Sequence, residues 1–213
     1  MSEEEFTRLY FMFRDREPAE AFRQMRQKWA DPARGVFCGG YQLLAPEAEF
    51  CVDQRAESDR ILASLGILLQ HTGTEPITDN TIPLMASFAA RLGLLSQILV
   101  ASWKHLSVRK SFGVKTTRHQ LVKADFADLS SQIEVLLIQW QMRLSAQDVA
   151  DPETDHWQIT MLTNRAEKLM GGHGYLLGST HSLSYLSMMI YSLYGKTTSG
   201  PVTTLSKNQE VIV

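Results

Sequence analysis

From residue 81 onward apolar side chains recur at steps of three and four, the spacing of a helix with one buried face. Leu84, Phe88, Leu92, Leu95, Leu99, Trp103 and Leu106 form the first stripe. It opens at Thr81-Ile82-Pro83, where proline gives up an amide that has no partner anyway, and it is expected to run to Phe112 and stop at Gly113. A second stripe follows Thr116-Thr117: Val122, Phe126, Leu129, Ile133, Leu136, Trp140 and Leu144. A third opens at Asp151-Pro152-Glu153, read as N-cap, first-turn proline and first-turn acid, and passes through Ile159, Leu162, Ala166 and Leu169 to Gly171-Gly172. The fourth, Thr180 to Tyr194, is apolar almost all round and predicts a buried helix. Long helices with short connections predict an all-α fold built on an antiparallel four-helix bundle.

Residues 1–80 are less regular. Phe6, Leu9, Tyr10 and Phe13 predict one amphipathic helix and Phe22, Met25 and Trp29 a second, with Pro18 between them. Residues 34–46 read as a hairpin or a loop, and Asp59 to Gln70 as a further helix. The predicted organisation is a helical region with a loop over 1–80, the bundle over 81–195 and a polar tail over 196–213.

Composition narrows the function classes. The chain has 213 residues, 44 % of them hydrophobic, enough for a real core. Twenty-one basic residues against 23 acidic ones give a net charge of −2, which supplies no field for nucleic acid. The opening Met-Ser-Glu-Glu-Glu is acidic where a secretory signal needs a positive start, and no apolar run reads as a membrane span, so a cytoplasmic protein is expected. Cys38 and Cys51 make neither a disulfide framework nor a metal motif.

Several motifs dissolve on inspection. Gly195-Lys196-Thr197 ends like a phosphate loop, but Ile190 stands where the loop needs glycine. Glu153-x-x-His156 is half of a carboxylate-bundle metal motif without its second half, and its first-turn position reads as capping. No strained Gly-x-Ser-x-Gly elbow accompanies the serines and histidines. Trp103 and Trp140 read as core.

One pair of motifs persists. Arg109-Lys-Ser-Phe112-Gly113, followed by His119-Gln120 and Ala124-Asp-Phe-Ala-Asp-Leu129, resembles the acyl-CoA dehydrogenase family, as does Gly171-Gly172-His-Gly174-Tyr175 at the expected distance. The resemblance covers about residues 81–197. It implies the family's C-terminal four-helix bundle, and a surface that completes the FAD site of a neighbouring subunit. On that reading Arg109, Phe112 and Gln120 reach the cofactor, and Gly171, Gly172 and Gly174 let the backbone approach its adenosine-diphosphate half. A permanently charged, forked guanidinium suits a pyrophosphate. Without the resemblance, Arg109 caps a helix end and the glycines terminate a helix.

The departures from the family matter equally. Residues 1–80 are too few for the domains expected before the bundle, including the β-domain that holds much of the flavin. The family's catalytic glutamate falls on Gly195 in Tyr194-Gly195-Lys196-Thr197, its arginine–aspartate pair on Leu186-Ser187, and its alternative glutamate near Pro83. Removing a proton beside a thioester needs a positioned base, and none of these supplies one. The resemblance thus implies a shortened subunit that associates with a full-length acyl-CoA dehydrogenase-like partner or with itself, and acts on an acyl-CoA or acyl-carrier-protein thioester. Two alternatives stay open: a flavin-free helical interaction or scaffold protein, and an independent enzyme with its base at Glu47 or Glu49.

Overall fold

The computed structural model describes residues 1–29, 41–45, 56–71, 81–147 and 152–195. Cys38, Cys51, Glu47, Glu49, the proposed cap Asp151 and the tail from 196 lie outside them, as do the side chains of Trp29 and Pro83. The fold is all-α with two small sheets.

Helix α1 (Glu3–Asp15) starts on a capping box: the Ser2 hydroxyl accepts from the Glu5 amide at 3.2 Å, and the Glu5 carboxylate accepts from the Ser2 amide at 3.0 Å. Its buried face is Phe6, Leu9, Tyr10 and Phe13, as the spacing predicts. Helix α2 (Pro18–Trp29) begins on its proline. Strands β1 (Tyr41–Leu44), β2 (Ala56–Glu57) and β3 (Leu68–His71) form an antiparallel sheet in the order β1-β3-β2. The helix expected over Asp59–Gln70 is corrected to the short α3 (Arg60–Ser64). Asp59 caps it by accepting from the Ile61 and Leu62 amides, and Gly66, at φ +69°, turns the chain out of helix into β3. A short apolar run fits helix and strand alike, and the glycine decides.

Helix α4 (Thr81–Val108) is the centre, packed by α1 and by α5 (Gln120–Ala146), α6 (Glu153–Leu169) and α7 (Thr180–Ile190). Over Leu84–Val108 it is long and apolar enough to cross a membrane, contrary to the sequence expectation, yet 83 % of its most apolar stretch is buried inside the chain. A core helix surrounded by others is apolar for the same reason. It ends four residues before the expected Phe112, and Lys110–Ser111 (β4) and Val114–Lys115 (β5) pair as a tight hairpin. Beyond α7, Tyr191–Gly195 continues as a π-helical turn. The expected burial of this last helix holds on the face of Leu183, Leu186, Ile190 and Tyr194, while Met188 is exposed. Tyr194 also accepts the Leu43 amide at 2.6 Å, fastening β1 to the bundle.

The core runs without a break from α1 into the bundle. Gly93 makes that possible, because a Cβ there would stand 2.5 Å from the Tyr10 carbonyl oxygen and 2.7 Å from the Phe13 Cβ. Gly93→Ala is therefore expected to destabilise by about 1–3 kcal/mol through overpacking, outweighing the gain of about 1 kcal/mol that alanine brings inside a helix. Urea unfolding measures the balance, and an unchanged or higher midpoint would mean that α1 does not lie this close.

Candidate functional site

The end of α4 carries the first motif. Lys110–Ser111 and Val114–Lys115 are joined by a two-residue turn, Phe112-Gly113, with φ of +51° and +79°. Positive φ at both central residues marks the hairpin turns that match strand twist, and asparagine-glycine suits them far better than an aromatic. Phe112 nevertheless sits there and is 97 % exposed. The hairpin is held from below: Thr116 donates its amide (2.9 Å) and hydroxyl (3.3 Å) to the Arg109 carbonyl, and His119 Nε2 lies 3.3 Å from the Ser111 carbonyl.

Arg109 Nη1 is 3.2 Å from Nε2 of His105, one helical turn earlier. The His105 ring stacks on His173 with centroids 4.5 Å apart and planes 15° from parallel. His173 sits inside the glycine-rich turn Gly171–Tyr175, a 3-10 turn. The fold thus brings the two motifs together through two histidines that sequence reasoning did not single out. Burial, with His173 and Arg109 nearby, holds His105 below the usual histidine range.

The glycines divide. Gly171 has φ +61° and, like Gly172, open space where a Cβ would point. A Cβ on Gly174 would stand 2.6 Å from the Thr180 hydroxyl and 3.0 Å from the Met170 Cβ, so that glycine serves the chain's own packing. Gln120 opens α5, exposed and without a side-chain hydrogen bond among the described residues.

The electrostatics of this end were also missed. Residues 81–124 contain no acid, and six basic residues fall between 104 and 123: Lys104, Arg109, Lys110, Lys115, Arg118 and Lys123. All six are exposed, and none meets a carboxylate among the described residues. They are too spread out in the sequence to register as a charge block, and the hairpin sets Lys110 opposite Lys115, next to Arg109.

A second polar cluster lies inside the bundle. Arg91 is fully buried, and among the described residues no carboxylate lies on its guanidinium. It donates from Nε to the Ser187 hydroxyl (3.2 Å), from Nη1 to His156 Nδ1 (2.8 Å) and the His156 carbonyl (3.2 Å), and from Nη2 to the Thr160 hydroxyl (2.7 Å). The Tyr191 ring lies 4.9 Å from its guanidinium carbon, and Tyr191 donates its hydroxyl to Glu153. Glu153 stands in the first turn of α6 as read, whereas the first-turn reading of His156 is corrected: it is buried and accepts from Arg91. Burial first, and Arg91 second, push its pKa down to about 3. The acceptor role of Nδ1 places the remaining ring proton on Nε2, which is buried, has no hydrogen-bond partner among the described residues and faces Gly195. A Cβ at 195 would stand 3.0 Å from that nitrogen and 2.9 Å from the Tyr191 ring, so the imidazole and the phenol occupy the space beside Gly195.

Two further corrections concern tryptophan and metal. Trp103, expected in the core, is 42 % exposed, whereas Trp140 is 1 % exposed. Among the described residues no group of three His, Cys, Asp or Glu side chains is placed to hold a metal ion.

No protein-family profile matches the chain, and no curated protein sequence matches it. Among solved structures it is similar to the Tcur3481-Tcur3483 steroid ACAD in a glycine-to-alanine variant, with 22 % identity, TM-score 0.45, and coverage of 66 % of this chain and 44 % of that one. An electron transferring flavoprotein of Acidaminococcus fermentans is similar at 16 % identity and TM-score 0.43, over 73 % of this chain and 46 % of that one. A Mycobacterium smegmatis protein assigned as an acyl-CoA dehydrogenase gives 18 % identity and TM-score 0.40, over 75 % and 46 %. The chain spans less than half the length of each, and none of these likenesses fixes the role of a residue here.

Proposed function

We propose that this chain is an acyl-CoA dehydrogenase-like subunit that completes the FAD site of a partner, or of a second copy, in α,β-dehydrogenation of an acyl thioester. The observation that carries the reading is the Arg109–His105–His173 contact, which joins the two resembling motifs at the end of α4, in a segment, 81–124, that holds no acid. The residues fit a pyrophosphate: Arg109 is exposed and free of any carboxylate among the described residues, and the backbone at Gly171 and Gly172 is open. Phe112, held in an unfavourable backbone region at the hairpin tip, supplies an aromatic face that this chain does not use for itself.

FAD, when bound, would supply the acceptor for the hydride equivalent that leaves the β-carbon of the thioester. This chain's part is to hold and orient. Arg109 neutralises the pyrophosphate, and Gln120 offers an amide to a neutral polar edge. The base that removes the α-proton comes from a full-length partner, since a second copy would carry the same Gly195 and the same Arg91-bound His156. Gly195 has none, and His156 cannot serve, because Arg91 occupies its Nδ1 lone pair and Nε2 carries the proton.

Arg109→Ala is expected to weaken FAD retention by the copurified complex by about 1–3 kcal/mol, the range for a charge-assisted hydrogen bond. Arg109→Lys should recover part of it, keeping the charge and losing the fork. The melting temperature of the chain alone should hardly move, since the Arg109 side chain is exposed and hydrogen-bonds, among the described residues, to His105. A flavin titration of the complex beside a melting curve tests both. A sharp drop in melting temperature with flavin affinity untouched would make Arg109 structural, and a colourless complex would favour the scaffold reading.

A further inference from the structure

An open groove of about 490 Å³ runs between α4 and α5, and Arg109 is not among the residues that line it. Leu99, Val100, Phe126 and Ala127 line it, Trp103 forms one lip with its ring edge-on to Phe126 at 4.9 Å, and Lys104 and Lys123 stand on opposite walls. We propose that this groove binds a small anionic amphiphile, its apolar chain along the groove and its carboxylate or phosphate between Lys104 and Lys123.

Three observations select that occupant. The volume and the mostly apolar lining with few polar groups are those of a small-molecule site. A stable protein partner needs roughly 20–30 residues a side, and eight line this groove. The charge is one-sided: α4 contributes no acid, and the nearest acids on α5, Asp125 and Asp128, turn away to Arg165 of α6 at 3.7 and 2.9 Å. Neither lysine meets a carboxylate among the described residues, so the head group supplies the counter-charge.

Calorimetric titration of the full chain with dodecanoate, dodecanoyl-CoA and dodecyltrimethylammonium, each below its micellar concentration, tests this. Dodecanoate or dodecanoyl-CoA is expected to bind at one site per chain, at least tenfold tighter than the cationic analogue. The tighter of the two anions names the source, free fatty acid or carrier-bound acyl group. The double variant Lys104→Glu/Lys123→Glu should abolish or invert the head-group preference. Ala127→Trp, at an exposed position, should fill the groove and weaken anionic binding at least tenfold; if it fails to fold, the charge reversal alone decides. Equal affinity for the two head-group signs, several molecules per chain, or no effect of either variant would overturn the proposal. So would light scattering that shows a wild-type dimer split by Ala127→Trp, because a second copy would then cover the groove.

Discussion

Trp140→Ala is expected to lower the unfolding free energy by about 3–5 kcal/mol, the cost of emptying a fully packed aromatic site. Trp140 lies on α5 with its ring stacked on Phe88 of α4 at 4.1 Å and on Phe6 of α1 at 6.0 Å. All three side chains are buried, so the indole joins three helices at one point and its loss leaves a void that none can fill alone. Its Nε1 also donates to Asp155 of α6 at 3.1 Å, which brings in a fourth helix. Asp155 keeps its second partner, Arg143, so the carboxylate is not stranded by the change. Trp140→Phe isolates the polar part: it keeps most of the stack, loses the hydrogen bond, and should cost about 1–2 kcal/mol. Denaturant unfolding of both variants separates the terms. A loss under about 1 kcal/mol for alanine would mean the aromatic stack is not the centre of the core.

How much of this was legible beforehand depended on the kind of signal. The helical stripes of α1, α4, α5 and α6 could be read because burying one face forces a 3.6-residue period on the sequence. The boundaries that failed are places where backbone conformation rather than periodicity decides. Gly66 diverts the Asp59 segment into a strand, and Phe112-Gly113 turns an apparent helix end into a hairpin. Trp103 fits the apolar stripe of α4 yet lies on its outer edge, since a stripe fixes the direction of a side chain and not what covers it. At the candidate site, Arg109 and the glycine turn could be found from local pattern. His105 and His173 could not, because nothing in the sequence says that two residues 68 positions apart will stack. Arg91 is the extreme case. A lone arginine in an apolar helix reads as solvent-facing, and only the packing of α6 and α7 shows that His156, Thr160 and Ser187 converge to satisfy it.

That convergence makes the protein's stability in acid depend on one imidazole. His156 Nδ1 accepts from Arg91, so protonation would remove the acceptor and set a second positive charge beside a buried guanidinium. The titratable groups facing the ring among the described residues are Arg91 from α4 and Tyr191, centroid 5.3 Å away, which itself donates to Glu153 of α6, while Phe88 of α4 covers it at 5.4 Å. None supplies a carboxylate to the imidazole. The folded chain therefore keeps His156 neutral down to about pH 3, whereas the unfolded chain protonates it near the ordinary histidine value of 6.5. Between these values the unfolded state binds one more proton, and stability falls with falling pH by about 1.4 kcal/mol per unit. Above pH 6.5 the contribution is constant. His156→Gln offers Arg91 an acceptor that does not titrate, so its stability curve should be flatter than the wild-type curve by about that slope. The carboxylates contribute to both curves alike and drop out of the difference. Urea unfolding of the two proteins from pH 7.5 to pH 4 measures it. Should the variant not fold, the ring-proton resonance of His156 in the wild type gives the same answer, by failing to titrate above about pH 4. Parallel stability curves, or an imidazole that titrates near 6.5, would show that His156 does not sit neutral against Arg91, and the exclusion of His156 as a base would fall with it.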